Sequence, residues 1–156
     1  GFVAAAVTLA FASPTVMSLQ VGFAVALAGE AIRIWAAGYP EKSREVTRSG
    51  PYQFMPHPLY VGSSVMAAGI VIAASDLVVA VVAALYMTST ILAAVRTEEA
   101  FLRRTFGDTY DRYRSDTAEP MARRFSLERA IRNREYRAVT GLLVGFGLLA
   151  LRVFVL

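Results

Sequence analysis

Apolar stretches alternate with charged segments along this chain of 156 residues. Four apolar runs cover residues 15–37, 58–74, 77–95 and 139–156, and a shorter one covers residues 1–12. A helix rises about 1.5 Å per residue, so about 20 apolar residues cross a hydrocarbon core of about 30 Å. The pattern therefore predicts an all-α, polytopic membrane bundle of about five helices.

The first apolar run, residues 1–12, is broken at Ser13-Pro14 and is too short to cross a bilayer alone. We expect it to be either a truncated span or half of a helical hairpin. Near the end of the second run, Glu30 and Arg33 lie one helical turn apart, so their side chains are predicted to face each other.

The two polar segments differ in the structure that they predict. Residues 38–56 contain three prolines and two glycines, which exclude a regular helix. Residues 96–118 carry apolar side chains every three or four positions, which predicts an amphipathic cytoplasmic extension of the fourth helix, bent at Gly107. Ser126 is a suitable N-cap for a short basic helix ahead of the last span.

The chain is predicted to form a single domain over residues 1–156. Its core covers residues 1–118, and residues 119–156 add a basic linker helix and an extra C-terminal membrane helix.

The basic residues indicate the orientation. Lysines and arginines concentrate in the two polar segments, whereas the turns at Ser13-Pro14 and Ser75-Asp76 have none. By the positive-inside rule, both polar segments face the cytoplasm. We expect an integral protein of a bacterial or archaeal inner membrane, with its active site facing the cytoplasm.

The composition limits which kinds of binding partner are expected. Hydrophobic residues make up 56% of the chain, charged residues make up 18%, and the mean hydropathy is +0.48. There is no cysteine and only one histidine, so no metal site is expected. The net charge of +4 lies beside apolar segments and accompanies no nucleic-acid-binding motif. Membrane lipids with anionic headgroups are therefore the expected partner, rather than nucleic acid.

The sole histidine lies at a predicted helix N-terminus. Pro58 suits the first helical position, where a missing N–H has no cost. His57 then lies beside free backbone N–H groups and the positive end of the helix dipole, where a carboxylate would bind. The alternative is that His57 is only a polar residue at the membrane interface.

Two adjacent acids follow the fourth apolar run. Neighbouring helical positions point about 100° apart, so Glu98 and Glu99 are not expected to face one pocket squarely. Glu99 has Arg103 four residues on, which predicts a helix ion pair. Glu98 has no such local partner, so a cationic ligand or Arg33 is expected to supply one. A solvated acidic pair is the alternative.

Four tyrosines accompany these segments, namely Tyr52, Tyr60, Tyr110 and Tyr113. They are suited to covering an adenine ring or lining a lipid pocket, and equally to anchoring the chain at the membrane interface.

The two segments together resemble the isoprenylcysteine carboxyl methyltransferase and phospholipid methyltransferase family of membrane enzymes. That family carries G-P-Y-x-x-x-R-H-P-x-Y before one helix, and E-E-x-x-L-x-x-x-F-G-x-x-Y-x-x-Y after the next. Here the motifs read GPYQFMPHPLY at residues 50–60 and EEAFLRRTFGDTYDRY at residues 98–113. The resemblance covers roughly residues 20–118, and Arg33-Ile34-Trp35-Ala36 is also similar to the family's second helix end. Pro56 departs from the pattern, because the family has arginine there; either the contact of that arginine is lost, with altered substrate choice or weak activity, or Arg44 or Arg48 replaces it.

The resemblance implies a methyltransferase that uses S-adenosylmethionine and acts on a lipophilic or lipid acceptor. The implied catalytic residues are Glu98, Glu99 and Arg33. The implied cofactor-binding residues are Gly50, Pro51, Tyr52, His57, Pro58, Tyr60, Glu98, Glu99, Tyr110 and Tyr113. The acceptor stays open among an isoprenylcysteine-type carboxylate, a phospholipid amine and a small lipophilic molecule.

Two other functions remain as alternatives. Membrane sterol or enone reductases that use NADPH have similar helices and a similar His-Pro motif, although the acidic and tyrosine motif favours a methyltransferase. A non-catalytic membrane protein that retains the fold is the second alternative, and Pro56 is its main support.

Overall fold

The helices begin and end at residues that cap or break helices. The computed structural model describes residues 2–41, 44–119 and 121–154. The helices within these ranges are α1 (Phe2–Phe11), α2 (Val16–Ala37), α3 (Pro58–Ala74), α4 (Leu77–Phe106), α5 (Asp108–Arg114), α6 (Leu127–Arg132) and α7 (Tyr136–Phe154). A short 3-10 turn, Gly50–Gln53, interrupts the loop between α2 and α3.

Side-chain caps fix three of the helix starts. Thr15 and Ser18 exchange hydrogen bonds in a capping box at the start of α2. Asp76 accepts a hydrogen bond from the backbone N–H of Val79 at 3.0 Å, and Ser126 caps α6 in the same way. These caps satisfy N–H groups that a helix cannot pair internally.

Within the part of the chain that the structure describes, three helices are long and apolar enough to cross a membrane: α2, α4 and α7. The 17-residue α3 is apolar but shorter, and so is α1. Large apolar side chains point away from the bundle, including Met17 (75% exposed) and Leu85 (67% exposed). Such surfaces suit contact with lipid chains rather than water. The predicted all-helical membrane bundle is confirmed, although only three of the five expected spans reach full length.

The tightest contact in the bundle is between α2 and α3. Gly22 and Gly29 of α2 face Gly69 and Gly62 of α3 so closely that a Cβ atom on any of the four would collide with the opposite helix. A Cβ on Gly29, for example, would lie 2.5 Å from the backbone nitrogen of Met66. Small residues allow this backbone approach, which membrane helices use to pack without a hydrophobic driving force.

As predicted, the amphipathic segment over residues 96–118 extends α4, and the chain bends at Gly107. Helix α4 continues without interruption to Phe106, because the sequence after Val95 contains good helix formers and no breaker before Gly107. Gly107 has a φ of +47°, a conformation that favours glycine, and it ends α4. The seven-residue α5 then follows in a new direction.

The basic helix is also shorter than predicted. It ends at Arg132, and Arg134 adopts a φ of +65° that breaks the helical path. The last span then begins at Tyr136, three residues earlier than the apolar pattern indicates.

Residues 121–135, hereafter the strap, cover the loop that follows α2. Arg123 donates hydrogen bonds to the Tyr39 carbonyl at 2.9 Å and to Glu45 Oε2 at 2.7 Å. Arg129 forms an ion pair with Glu41 at 3.3 Å. Each of these contacts joins positions about 80 or more residues apart in the chain.

The strap also caps the C-terminus of α2. Arg129 donates to the carbonyl of Gly38 at 2.6 Å, and Asn133 donates to the carbonyls of Ala37 and Pro40 at 2.9 and 3.1 Å. The last carbonyls of a helix lack intrahelical partners, so these side chains replace water there. The strap therefore holds the end of α2 in place.

Arg152 lies at the opposite end of the bundle from the strap. Its guanidinium donates to the carbonyls of Leu9 and Ala10 at the end of α1. The two turns at that end are joined by a hydrogen bond from the Ser13 N–H to the Ala74 carbonyl at 2.8 Å.

Candidate active site

The N-terminus of α3 and the last turns of α4 bring the two sequence motifs together. His57 lies between two carboxylates, with Nδ1 3.6 Å from Glu98 Oε2 and Nε2 3.3 Å from Glu99 Oε1. The two acids point in different directions, as predicted, but the imidazole is wide enough to meet one acid at each nitrogen. Pro58 occupies the first position of α3, as predicted.

The two acids favour the charged form of His57. The Glu98 carboxylate contributes most to raising the pKa of His57, burial of the ring opposes the increase, and Glu99 adds a smaller one. Since 3.6 Å exceeds a normal hydrogen bond, the Glu98 contact is chiefly electrostatic. The charged ring can thus attract both carboxylates at the N-terminus of α3.

Glu99 does not form the predicted helix pair with Arg103. Its other partner is Arg114 of α5, at 3.7 Å. Arg103 instead lies 3.4 Å from Asp111 and 5.8 Å from the centre of the Tyr110 ring. The break at Gly107 causes this exchange, because it folds α5 back against the end of α4.

The loop before α3 is shaped by its glycine and a tyrosine from α5. Gly50 has a φ of +60°, and a Cβ there would collide with the ring of Tyr39. Pro51 is fully buried. The Tyr113 hydroxyl donates to the Tyr52 carbonyl at 2.7 Å, which ties α5 to the loop. Gly50 and Pro51 line neither cavity described below, so their contact with a cofactor stays a prediction.

The four tyrosines occupy different positions around the site. Tyr60 packs 5.8 Å from the His57 ring, centre to centre, whereas Tyr110 is completely buried. Burial is the main cause that raises the pKa of Tyr52, and it raises the pKa of both Tyr110 and Tyr113 to about 12. These phenols stay protonated at neutral pH and can act as hydrogen-bond donors.

A cavity of about 840 Å³, hereafter the interfacial cavity, joins both motifs to the strap and α7. This volume lies in the usual range for sites that hold organic ligands, about 300–1,000 Å³. Its lining comprises Arg33, Tyr52, Pro56, His57, Pro58, Leu59, Tyr60, Ala93, Ala94, Thr97, Glu98, Phe101, Asn133, Arg134, Glu135, Arg137 and Ala138. A second cavity of about 220 Å³ adjoins it, with Tyr52, Pro56, Leu59, Glu98 and Phe101 in both walls and Tyr113 in the smaller one.

Arg33 lines the interfacial cavity and forms ion pairs with two acids, Glu30 and Glu135. The sequence indicated only the pair with Glu30. Arg33 Nε lies 3.8 Å from Glu30, the predicted partner, but only 2.7 Å from Glu135 of the strap. Glu135 accepts a second hydrogen bond from Arg33 at 3.2 Å, and Arg33 also donates to the Ser63 hydroxyl. Glu135 is 7% exposed, and a glutamate so close to a membrane span was the signal that could have identified it.

The structure brings some predicted site residues into the interfacial cavity and leaves others outside. Arg33, Tyr52, His57, Pro58, Tyr60 and Glu98 line it. Glu99 touches it only through His57. Arg44 is 80% exposed and Arg48 lines a separate small pocket, so neither stands where the family arginine at position 56 would be. Arg33, Arg134 and Arg137 are the arginines that the described residues contribute to the cavity wall.

The fold and the site together define an α-helical integral membrane protein with a charged cavity at one end of its spans. The family model for phospholipid methyltransferases matches residues 11–109, and the chain belongs to that family. Neither the curated proteins nor the solved structures give a match. The family indicates methyl transfer to lipid-type substrates, and the resemblance drawn from the two motifs is confirmed.

Proposed function

We propose that the chain transfers a methyl group from S-adenosylmethionine to a lipophilic acceptor inside the interfacial cavity. The observation that carries this proposal is the position of Glu98, His57 and Tyr52, which line one cavity although they come from two separate motifs. The family match agrees with methyl transfer but leaves the cofactor and the acceptor to be tested.

The donor set in the cavity wall suits the amino-acid end of S-adenosylmethionine. That end carries an ammonium and a carboxylate, and the wall offers the Glu98 carboxylate together with several cations. Glu98 is 43% exposed and lines the interfacial cavity, so it can meet a ligand, while Glu99 is 20% exposed and does not line the cavity. We therefore assign the ammonium to Glu98, and we assign His57 and Glu99 to its support.

Aromatic side chains suit the adenosyl end. Tyr52 and Phe101 border both cavities, and Tyr60 borders the larger one. Rings of this kind cover a nucleobase, and a phenol with a raised pKa donates a hydrogen bond without losing its proton. Tyr113 contributes by fixing the backbone of Tyr52 rather than by lining the larger cavity.

The sulfonium of the cofactor supplies an already activated methyl group, so no nucleophilic side chain is required. The chain's task is to hold the two reactants in line and to exclude water. Small side chains from α4 and α7, namely Ala93, Ala94 and Ala138, line the cavity on the side of the membrane helices. A lipophilic acceptor would approach between these two helices, with its polar group meeting the methyl near the interface.

The remaining assignments belong to the same proposal. We place the cavity on the cytoplasmic face of a bacterial or archaeal inner membrane, on the evidence of the basic residues in both polar segments. We also propose that residues 1–156 act as one domain, since the strap forms part of the cavity wall. The acceptor is a phospholipid amine, an isoprenylcysteine-type carboxylate or another lipophilic molecule.

A labelled-methyl assay tests this function. The purified chain is reconstituted in vesicles that contain phosphatidylethanolamine or an S-prenylated cysteine, and methyl-labelled S-adenosylmethionine is added. We expect label in the lipid phase with one of the two acceptors. Glu98→Gln should abolish the transfer, whereas the matched change Glu128→Gln, at an 87% exposed site on α6, should not alter it. Label in neither acceptor, from a protein that binds S-adenosylhomocysteine, would contradict both acceptor classes.

A further inference from the structure

The strap contributes a charged group to the interfacial cavity from outside the region that the family model matches. The family model ends at residue 109, and Glu135 lies beyond it. Its side chain nonetheless contacts Arg33, a residue of the matched region, across 102 positions of sequence. Asn133 and Arg134 of the strap line the same cavity. The matched region alone therefore does not complete the cavity wall.

The guanidinium of Arg33 is held at three of its five N–H groups. Nε and Nη2 donate to the two oxygens of Glu135 at 2.7 and 3.2 Å, and Nη1 donates to Ser63. This paired arrangement fixes the plane of the guanidinium as well as its position. The hydrogen bonds of the described residues leave one N–H on each of Nη1 and Nη2 for a ligand in the cavity.

Two carboxylates, those of Glu98 and Glu99, already lie at the N-terminus of α3. His57 lies between Glu98 and Glu99, so a ligand carboxylate placed there would be repelled by both acids. Arg33 also lies near two acids, Glu30 and Glu135, but it has available donors and shares the cavity wall with Arg134 and Arg137, which add positive charge on that side. Glu135, which is 7% exposed, is what keeps Arg33 in that position.

We propose that Glu135 is a positioning residue, which orients Arg33 to receive the carboxylate of the bound cofactor. This inference rests on the proposed function, because it takes S-adenosylmethionine as the ligand. Arg33 would contact the carboxylate directly, and Glu135 would act only through Arg33. The strap is thus part of the binding site. A chain with the matched region alone would lack the contact that orients Arg33.

The test measures the affinity of the detergent-purified full chain for S-adenosylhomocysteine by calorimetry, alongside its melting temperature. Glu135→Gln keeps the shape of the side chain but removes its charge, and we expect the affinity to fall at least tenfold. Glu135→Asp, which retains the carboxylate, should recover part of the loss. The control Glu128→Gln removes an exposed glutamate from the neighbouring helix and should change the affinity less than twofold.

A charge exchange separates positioning from a purely structural role. The double variant Arg33→Glu/Glu135→Arg can rebuild the ion pair, but it presents the wrong charge to the ligand. We expect the melting temperature to recover relative to Arg33→Glu alone, while the affinity stays low. If the exchange restores the affinity too, or if Glu135→Gln binds as well as the wild type, the positioning role is refuted. If the wild type itself binds nothing, the proposed function fails instead.

Discussion

The close contact between α2 and α3 gives a prediction about stability. Gly69→Ala places a Cβ atom 2.5 Å from both the backbone nitrogen of Ala26 and the carbonyl oxygen of Gly22. Both of these atoms belong to a helix backbone and cannot rotate away. The two helices must therefore separate until ordinary contact is reached at 3.4 Å, a shift of about 0.9 Å.

The cost of that shift can be set against the gain from alanine. Overpacking of this kind costs about 1–3 kcal/mol, and separated atoms lose a quarter to a half of their dispersion attraction. Alanine is better than glycine in a helix by about 1 kcal/mol. We expect a net loss of up to about 2 kcal/mol, which lowers the melting temperature by up to about 8 °C for a chain of this length.

The matched control for this change is Gly147→Ala. Gly147 lies in α7, and a Cβ there meets nothing within 4 Å. Gly147→Ala gains the same helix propensity without a collision. The melting temperature of this variant in detergent should therefore equal or exceed that of the wild type. Since α2 and α3 carry Arg33 and His57, Gly69→Ala should also weaken binding of S-adenosylhomocysteine. Equal melting temperatures for Gly69→Ala and Gly147→Ala would refute the account of the helix contact.

Three further predictions concern the site. The raised pKa of His57 means that its protonated form stabilises the fold below about pH 6.5 and that this contribution disappears as pH rises through the raised value. The melting temperature should therefore fall across that interval in the wild type, and less in His57→Gln. Glu98→Gln should reduce methyl transfer more than Glu99→Gln, because only Glu98 lines the interfacial cavity. Pro56 is half-buried in the cavity wall, so the arginine of Pro56→Arg has room to extend into the cavity. This variant, which restores the family residue, should therefore retain its fold, as a melting curve would show.

A specific result would contradict each of these three predictions. A pH profile that is the same in wild type and His57→Gln would show that the two carboxylates do not hold an imidazolium. A larger loss for Glu99→Gln would mean that the roles of the two acids are exchanged. Unfolding of Pro56→Arg would show that this proline has a structural role in the loop before α3.

The fold was largely predictable because membrane helices leave strong local signals. The apolar run and the Pro58 start identified α3 over the same residues that the structure gives, and Thr15 and Asp76 mark the starts of α2 and α4. The end of α4 was predictable from Gly107 but not from the apolar pattern. Val95 ends the apolar pattern, but backbone hydrogen bonding continues through polar residues until Gly107 permits a change of direction.

The site was predictable only where two motifs bordered neighbouring helices. His57 and the two acids were singled out from spacing and helix ends, yet their mutual contact depends on how α3 and α4 pack. Glu135 was missed as a partner of Arg33, because the two are separated by 102 positions and no local periodicity joins them. Only the backbone change at Arg134 and the docking of the strap bring Glu135 inward.

The most direct test of the central claim is a calorimetric titration of the detergent-purified chain with S-adenosylhomocysteine. We expect one-to-one binding in the micromolar range, which is lost in His57→Ala and Glu98→Gln, with both variants still folded by their melting curves. Absence of binding to the folded wild-type chain would contradict the claim that the interfacial cavity holds this cofactor. Unchanged binding in both variants would show that the cofactor binds elsewhere in the molecule.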